Sequence, residues 1–361
     1  MRIFISAGEV SGDIRASELV KSIKKYGNFS FFGMGSNYLK NEGVNVIYDF
    51  KNDSVVGIQE ALLRLKNIFE AYKIVYREAL KSDLVILVDY PGFHLKLGND
   101  LIKAGKKNIF YYILPQVWAW GLFRIETLRK FKGLYSILPF EKEFFEKYGI
   151  NVKFFGHPLK KLLKENISKI QIEGKPIIGL LPGSRKDEIR RLIPRFLKIK
   201  KEIEKVYKDA KFILSLLIDY PIGEEDNLKI IRGNSLEIIN SSDILIIASG
   251  TASLESAILK KPAIVVYSTS ELTWLLGKLI VKVPFISLVN LILNEMVYPE
   301  FIQHIKPKEI TKKVIEILEN PQKITNKLYK IDELLGEDNP TDKIALDILN
   351  SMAWFMFCYL F

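Results

Sequence analysis

At 361 residues, 48% of them hydrophobic, the chain is long for one domain and suits two buried cores. Its single cysteine, Cys358, excludes an intramolecular disulfide framework and fits a reducing compartment. The formal net charge of +11 suits an anionic bilayer or a phosphorylated substrate; nucleic acid is excluded as a partner, because no zinc knuckle, basic helix or aromatic-interleaved motif accompanies it.

MRIFISAG enters a buried strand at 2–7 with no charged or long apolar leader before it, which argues against export and predicts a cytoplasmic chain. A helix follows through Lys24. The apolar runs 83–90 and 108–114 predict further buried strands, and 134–140 and 152–158 close the first half. Lys160–Lys175 is charged and reads as the linker region. The pattern then restarts: 176–184 predicts a strand and turn, with a helix from about Asp187, and 211–217, 243–249 and 263–268 predict later strands. Strands alternating with helices in this way predict parallel sheets. The expected fold is α/β, two Rossmann-like parallel-sheet domains facing across a cleft, with C-terminal helices after the second sheet. Residues 1–165 form the first domain, 166–330 the second, and 331–361 a helical tail packing back on the first. Ligands of such sheets bind beyond the carboxyl ends of the strands.

Three segments bear on membranes. The stretch 272–292 is long enough to span, but Lys278, Lys282 and Pro284 interrupt it. MAWFMFCYLF at the end is shorter than the ~20 residues of a span, and reads as a docking helix or an interfacial anchor. Gly57–Lys81 places Ile58, Leu62, Leu65, Phe69 and Tyr72 at helical spacing beside Arg64, Lys66, Lys73 and Arg77. That pattern fits a core helix and an interfacial helix alike. Trp118 and Trp120 line the same region or pack inside.

Four strand-end motifs carry the candidate chemistry. In Ser6–Asp13, Gly8 and Gly12 let the backbone turn and approach a ligand, Ser11 lies between them, and the Glu9 carboxylate needs water, a donor or a ligand. In 181–185, a helix start together with Ser184 and Arg185 suits a diphosphate. In 248–255, Ser249, Gly250 and Thr251 offer hydroxyls and helix-end amides, and Glu255 lies one turn past Thr251, placed for ribose hydroxyls; a capping box explains part of the same pattern. In 88–94, Asp89 is a catalytic carboxylate or an N-cap, and His94 a buried hydrogen-bonded residue or a base. The chain has no GxxxxGK[ST] loop, GxSxG elbow, Asp-x-Asp pair or metal-ligand spacing, its histidines being His94, His157 and His304. No metal or other cofactor is expected; anion stabilisation falls to Arg185, helix ends and amides.

Seven blocks together resemble the lipid-A-disaccharide synthase family: SAGEVSGD, VDYPGFHLKL, YYILPQVWAWG, SILPFEKEFFEKYGINVKFFGHPL, LLPGSRKDEI, ASGTASLESAILKKPAIVVY and FISLVNLILNEMVYPEFIQ, in that order from Met1 to Gln303. The resemblance implies a GT-B fold and inverting transfer of 2,3-diacylglucosamine from its UDP-activated form to 2,3-diacylglucosamine 1-phosphate, giving a β-1,6-linked disaccharide and UDP. It implies a peripheral enzyme on the anionic inner face of the cytoplasmic membrane, acceptor and membrane belonging to the first domain and donor to the second. It assigns Glu9 to the family's first-loop acid, and Arg185, Ser249, Gly250, Thr251 and Glu255 to the nucleotide. Asn290, Glu300 and Gln303 fall near the donor's phosphates and sugar. Some members carry a second aspartate in the fourth motif where Gly92 stands here, so Asp89 and Glu9 are the remaining candidates for the base. Val289 replaces a family proline and Glu295 a family arginine. The oligomeric state is open, a homodimer among the options. Two other readings share the pattern: a UDP-N-acetylglucosamine epimerase, which needs no acceptor, and an inactive membrane-recruited sugar-nucleotide-binding protein.

Overall fold

The strand at the centre of the first sheet, Leu84–Val88, has five aliphatic side chains, all buried. Leu84, Ile86 and Val88 pack into one core and Val85 and Leu87 into the other, so a continuous apolar run is what a sheet covered on both faces requires. The computed structural model describes the backbone of residues 1–50, 58–281 and 283–359, and their side chains except at 58–67, 163, 272, 276, 279 and 353–359. The chain divides into two units, Met1–Pro158 with Gly336–Phe361, and Leu159–Leu335.

In the first unit, the elements are β1 (Arg2–Ala7), α1 (Val10–Lys24), β2 (Ser30–Gly35), α2 (Asn37–Asn41), β3 (Asn45–Asp49), α3 (Ile58–Leu80), β4 (Leu84–Val88), α4 (Pro91–Lys103), β5 (Ile109–Tyr112), α5 (Ile125–Leu128), β6 (Gly133–Ser136), α6 (Pro139–Glu146) and β7 (Lys153–Phe154). The seven strands are parallel and ordered β3-β2-β1-β4-β5-β6-β7. One face is covered by α3, α4, α5 and α6, the other by α1, α2 and the last helix of the chain. The run 134–140 is strand only to Ser136; Pro139, whose fixed φ suits a first helical turn, starts α6.

The second unit comprises β8 (Ile177–Leu181), α7 (Lys186–Glu204), β9 (Lys211–Leu216), β10 (Leu228–Arg232), α8 (Ser235–Ser241), β11 (Ile244–Ala248), α9 (Thr251–Ile258), β12 (Ala263–Tyr267), α10 (Glu271–Ile280), α11 (Leu288–Leu293), β13 (Glu300–Ile302), α12 (Pro307–Glu319) and α13 (Gln322–Leu334). Its six parallel strands are ordered β10-β9-β8-β11-β12-β13. The chain then returns to the first unit as α14 (Pro340–Tyr359), whose Ile344, Ala345 and Ile348 pack beside Ala16, Leu19 and Ile23 of α1.

The apolar stretch 272–292 folds as α10 and α11 with a break between them, and among the described residues no helix is long and apolar enough to cross a membrane. In α3, Ala71, Val75 and Ala79 are buried against the sheet while Phe69 and Lys73 face outward; Ile58, Leu62, Arg64, Leu65 and Lys66 lie outside the described side chains, as does the terminal run from Ala353, Cys358 included.

Candidate active site

Both sheets reverse their winding between two neighbouring central strands, β1 and β4 in the first unit, β8 and β11 in the second. Loops leaving the carboxyl ends of such a pair diverge to opposite faces and leave a crevice. The four sequence motifs are the four loops at these two points.

In the first unit, register pairs Ala7 with Val88, so the chain emerges as Gly8-Glu9 beside Asp89-Tyr90. Tyr90 lies directly over Gly8: a Cβ there would sit 2.1 Å from the ring. Gly8 is therefore demanded by sterics. At Gly12 an added Cβ would meet Ala7, Val88 and Asp89 only at ordinary contact distance, so that glycine is not. Glu9 is the exposed N-cap position of α1, with Ser11 exposed in the first turn.

Asp89 and Tyr90 both take left-handed backbone, at φ 52° and 51°. Non-glycine residues pay roughly 1–2 kcal/mol each for that conformation, so something must hold them. The Asp89 carbonyl accepts from Nδ1–H of His94 at 2.7 Å and from the Tyr111 hydroxyl at 2.7 Å, while its amide donates to Tyr112 O at 2.9 Å. Because Nδ1 faces a carbonyl it carries the proton. Nε2 is then the acceptor, and the Ser6 hydroxyl donates to it at 2.7 Å. His94 is wholly buried, and burial pushes its pKa down to about 4. It is a neutral positioning residue.

The lock fixes Asp89 close enough to Glu9 for the two carboxyl groups to interact. Burial first, then the Glu9 charge, raises Asp89 from an ordinary 3.8 to about 6. A carboxylate there is a better base than an exposed one and still ionised at neutral pH. Gly92, in the first turn of α4, has nothing within 4 Å of a would-be Cβ, so the missing family carboxylate leaves open space. Ser6 and Tyr90 lay inside the motifs with no role of their own, and Tyr111 was not singled out by the sequence. The signal available was a tyrosine in an otherwise apolar strand, whose hydroxyl needs a partner when buried.

In the second unit, Ile247 pairs with Leu181, so the Gly183–Arg185 and Ser249–Thr251 loops run side by side. Gly183 has φ 93°, and a Cβ there would meet Ala248 at 3.4 Å and the Glu188 carboxylate at 2.4 Å. Ser184 is exposed, and Arg185, the N-cap position of α7, has an 81% exposed side chain whose Nη1 reaches Glu188 at 3.2 Å. A solvated i,i+3 pair of this kind is worth under ~1 kcal/mol, so the guanidinium is readily exchanged to a phosphate. Gly250, the N-cap position of α9, has φ 150° and open space within 4 Å of a would-be Cβ. Thr251 is exposed beside it and Glu255 half-buried one turn on. Ser249 donates to Ile286 O at 2.8 Å and so ties this loop to the segment before α11.

Asn290, Glu300 and Gln303 spend their side chains on the backbone. Asn290, fully buried, accepts from the amides of Val297 and Tyr298 and donates to Tyr298 O and Glu300. Glu300 also accepts from the amides of Ile286 and Ser287, both at 2.9 Å. Gln303 bridges both backbone groups of Thr269 and reaches Glu271 at 2.7 Å. They shape the loops around Ser249 and α10. Among the described residues no three His, Cys, Asp or Glu side chains are grouped to hold a metal ion.

Two parallel Rossmann-like sheets, with helix ends and hydroxyls at one switch point and paired carboxyls at the other, define a GT-B nucleotide-sugar enzyme. Solved structures share that fold: a UDP-N-acetylglucosamine 2-epimerase from Listeria monocytogenes (TM-score 0.63, 13% identity, 97% of this chain and 96% of that one) and the kitacinnamycin glycosyltransferase (0.69, 10%, 97% and 98%). At such identity they establish the fold alone. The family model described as lipid-A-disaccharide synthetase matches residues 3–343. Lipid-A-disaccharide synthase 1 of Legionella pneumophila is 36% identical over 93% of both chains, and the synthase of Syntrophus aciditrophicus 33% over 95% of this chain and 96% of its own. The chain belongs to the lipid-A-disaccharide synthase family, and is a glycosyltransferase of lipid A biosynthesis. Its kinship with epimerases stops at the fold.

Proposed function

We propose that the enzyme moves 2,3-diacylglucosamine from its UDP-activated form to the 6-hydroxyl of 2,3-diacylglucosamine 1-phosphate, in one displacement. Asp89, with Glu9 as its partner, takes the hydroxyl proton. The acceptor oxygen forms its bond to C1 of the donor as the bond from C1 to the diphosphate oxygen breaks, and UDP departs. Arg185, Ser184 and the amides at Gly250–Thr251 hold the diphosphate, and Glu255 accepts from the ribose. Gly8, Ser11 and Gly12 leave room for the acceptor. The strongest support is the raised, backbone-locked Asp89 beside Glu9 at one switch point, a poised carboxyl pair that a binding protein has no use for. No metal cofactor is needed on this reading, because a cation and two helix N-termini meet the leaving charge.

Association with the anionic inner face of the cytoplasmic membrane is proposed from the acylated substrates and the +11 charge. Supplying the diacyl UDP-sugar with and without the acceptor monophosphate tests the reaction. UDP release only with acceptor is expected. Isomerisation of the donor alone, or no turnover, refutes transfer.

A further inference from the structure

The loop between β5 and α5 exposes large apolar groups where a folded surface ordinarily hides them. Trp120, Leu122 and Phe123 are 44%, 51% and 75% exposed within four residues. The loop is nonetheless anchored. Trp118 donates from its indole nitrogen to Glu141 at 3.0 Å and packs edge-on against Phe140 at 5.1 Å. Glu141 is 1% exposed, and burial raises its pKa to about 8. On the other side Ile125 is buried in the core. Between these fixed points Gly121, at φ 87°, turns the chain outward. The guanidinium of Arg124 lies over the Trp120 ring at 4.0 Å and near the Phe123 ring at 5.5 Å.

We propose that Trp120–Arg124 is a membrane-insertion element that seats the first unit in the headgroup layer of an anionic bilayer. The inference rests on the peripheral association proposed above and names the surface that makes it. Aromatic bodies with a cation over their faces suit a medium that is apolar below and anionic above. Charge around the loop has the same sense: Arg129 and Lys130 follow within two turns, and the carboxylate of Glu126 is paired with Arg129 at 3.8 Å. The arrangement recurs on the same sheet face, where Phe69 of α3 is 59% exposed with the Lys73 ammonium 4.4 Å over its ring.

The test is co-sedimentation of the full-length protein with vesicles of phosphatidylglycerol and phosphatidylethanolamine at ~0.15 M salt. Half-burying one aromatic ring accounts for about tenfold in partitioning, so F123S should lose about tenfold and W120S/F123S about a hundredfold. Turnover of detergent-dispersed substrates should be unchanged by either. F123L should bind within about threefold of wild type. Should the double variant misfold, F123E, at a site already in solvent, gives the same readout. Wild-type binding by F123E or W120S/F123S overturns the proposal. So does a change confined to sedimentation velocity, which would make the patch a contact between two copies. Failure of the wild-type protein to bind these vesicles defeats the peripheral association itself, a different result from failure of this surface.

Discussion

Asp89→Asn exchanges one oxygen for nitrogen and removes a charge that the fold holds against its preference. The side chain stays the same size, and asparagine tolerates the left-handed backbone at φ 52° as well as aspartate does. Well below pH 3.8 the carboxyl is protonated in folded and unfolded chains alike, and contributes nothing. As pH rises from 3.8 toward 6 the unfolded chain ionises first, so the folded state loses stability relative to it. Above about 6 both are ionised and the loss is complete. At ~1.36 kcal/mol per pH unit it reaches about 3 kcal/mol. Asp89→Asn should therefore approach wild type near pH 3 and exceed it by up to ~3 kcal/mol at pH 8, read from urea midpoints across that range. Turnover should collapse over the same interval in which wild-type kcat/KM rises through an apparent pKa near 6. A stability difference that does not change with pH would refute the assignment, as would a variant with normal turnover.

Arg185→Ala should cost about 10²–10³ in turnover, and near-normal rates would remove Arg185 from the diphosphate. Gly8→Ala drives a methyl into the Tyr90 ring and should destabilise by about 1–3 kcal/mol, with recovery in Gly8→Ala/Tyr90→Ala; no recovery in denaturant midpoint would refute the contact. His94 titrates with the opposite sign to Asp89: its folded pKa of about 4 lies below the usual 6.5, so stability falls as pH drops from 6.5 toward 4. His94→Gln should be less stable by ~2 kcal/mol at pH 7 and converge on wild type toward pH 5; a constant offset contradicts a neutral buried ring. Gly92→Asp, in open space in a first helical turn, should keep or raise stability by up to ~1 kcal/mol. A large gain in its turnover would show that Asp89 is not the whole base.

The central strands were legible because a sheet covered on both faces needs an unbroken apolar run, and 83–90, 176–184 and 243–249 have one. Strand β2 was missed, since Gly33 and Gly35 interrupt its apolar run. In the fold Gly33 lies where a Cβ would strike the Ile5 carbonyl at 1.7 Å, so glycine marks close pairing there. Strand β10 was missed for another reason: it is an edge strand with mostly exposed side chains, and Lys229 and Arg232 mask its periodicity. The candidate site was legible one motif at a time. That Glu9 and Asp89 form a pair follows from β1 and β4 lying side by side, a contact 80 residues apart that no local pattern carries. His94 could be read either way, because only the carbonyl opposite Nδ1 decides its tautomer. The resemblance alone places Asn290 and Glu300 near the donor, and what no local pattern carries is that their side chains also tie loops together.

The two switch points occupy the same place in their sheets yet carry opposite electrical character. Two carboxyls stand at the first; an exposed guanidinium and helix N-termini stand at the second. Under the proposed reaction this sorts the substrates before any specific contact is made. A nucleotide diphosphate is repelled from the β1–β4 loops and drawn to the β8–β11 loops, whereas the acceptor can present its neutral 6-hydroxyl to the base at the first with its 1-phosphate held away from the carboxyls. Chemical direction, which sugar gives and which receives, is thus written into the polarity of two otherwise equivalent addresses. Swapping the sign at either one should invert the preference for its ligand without disturbing the sheet beneath it.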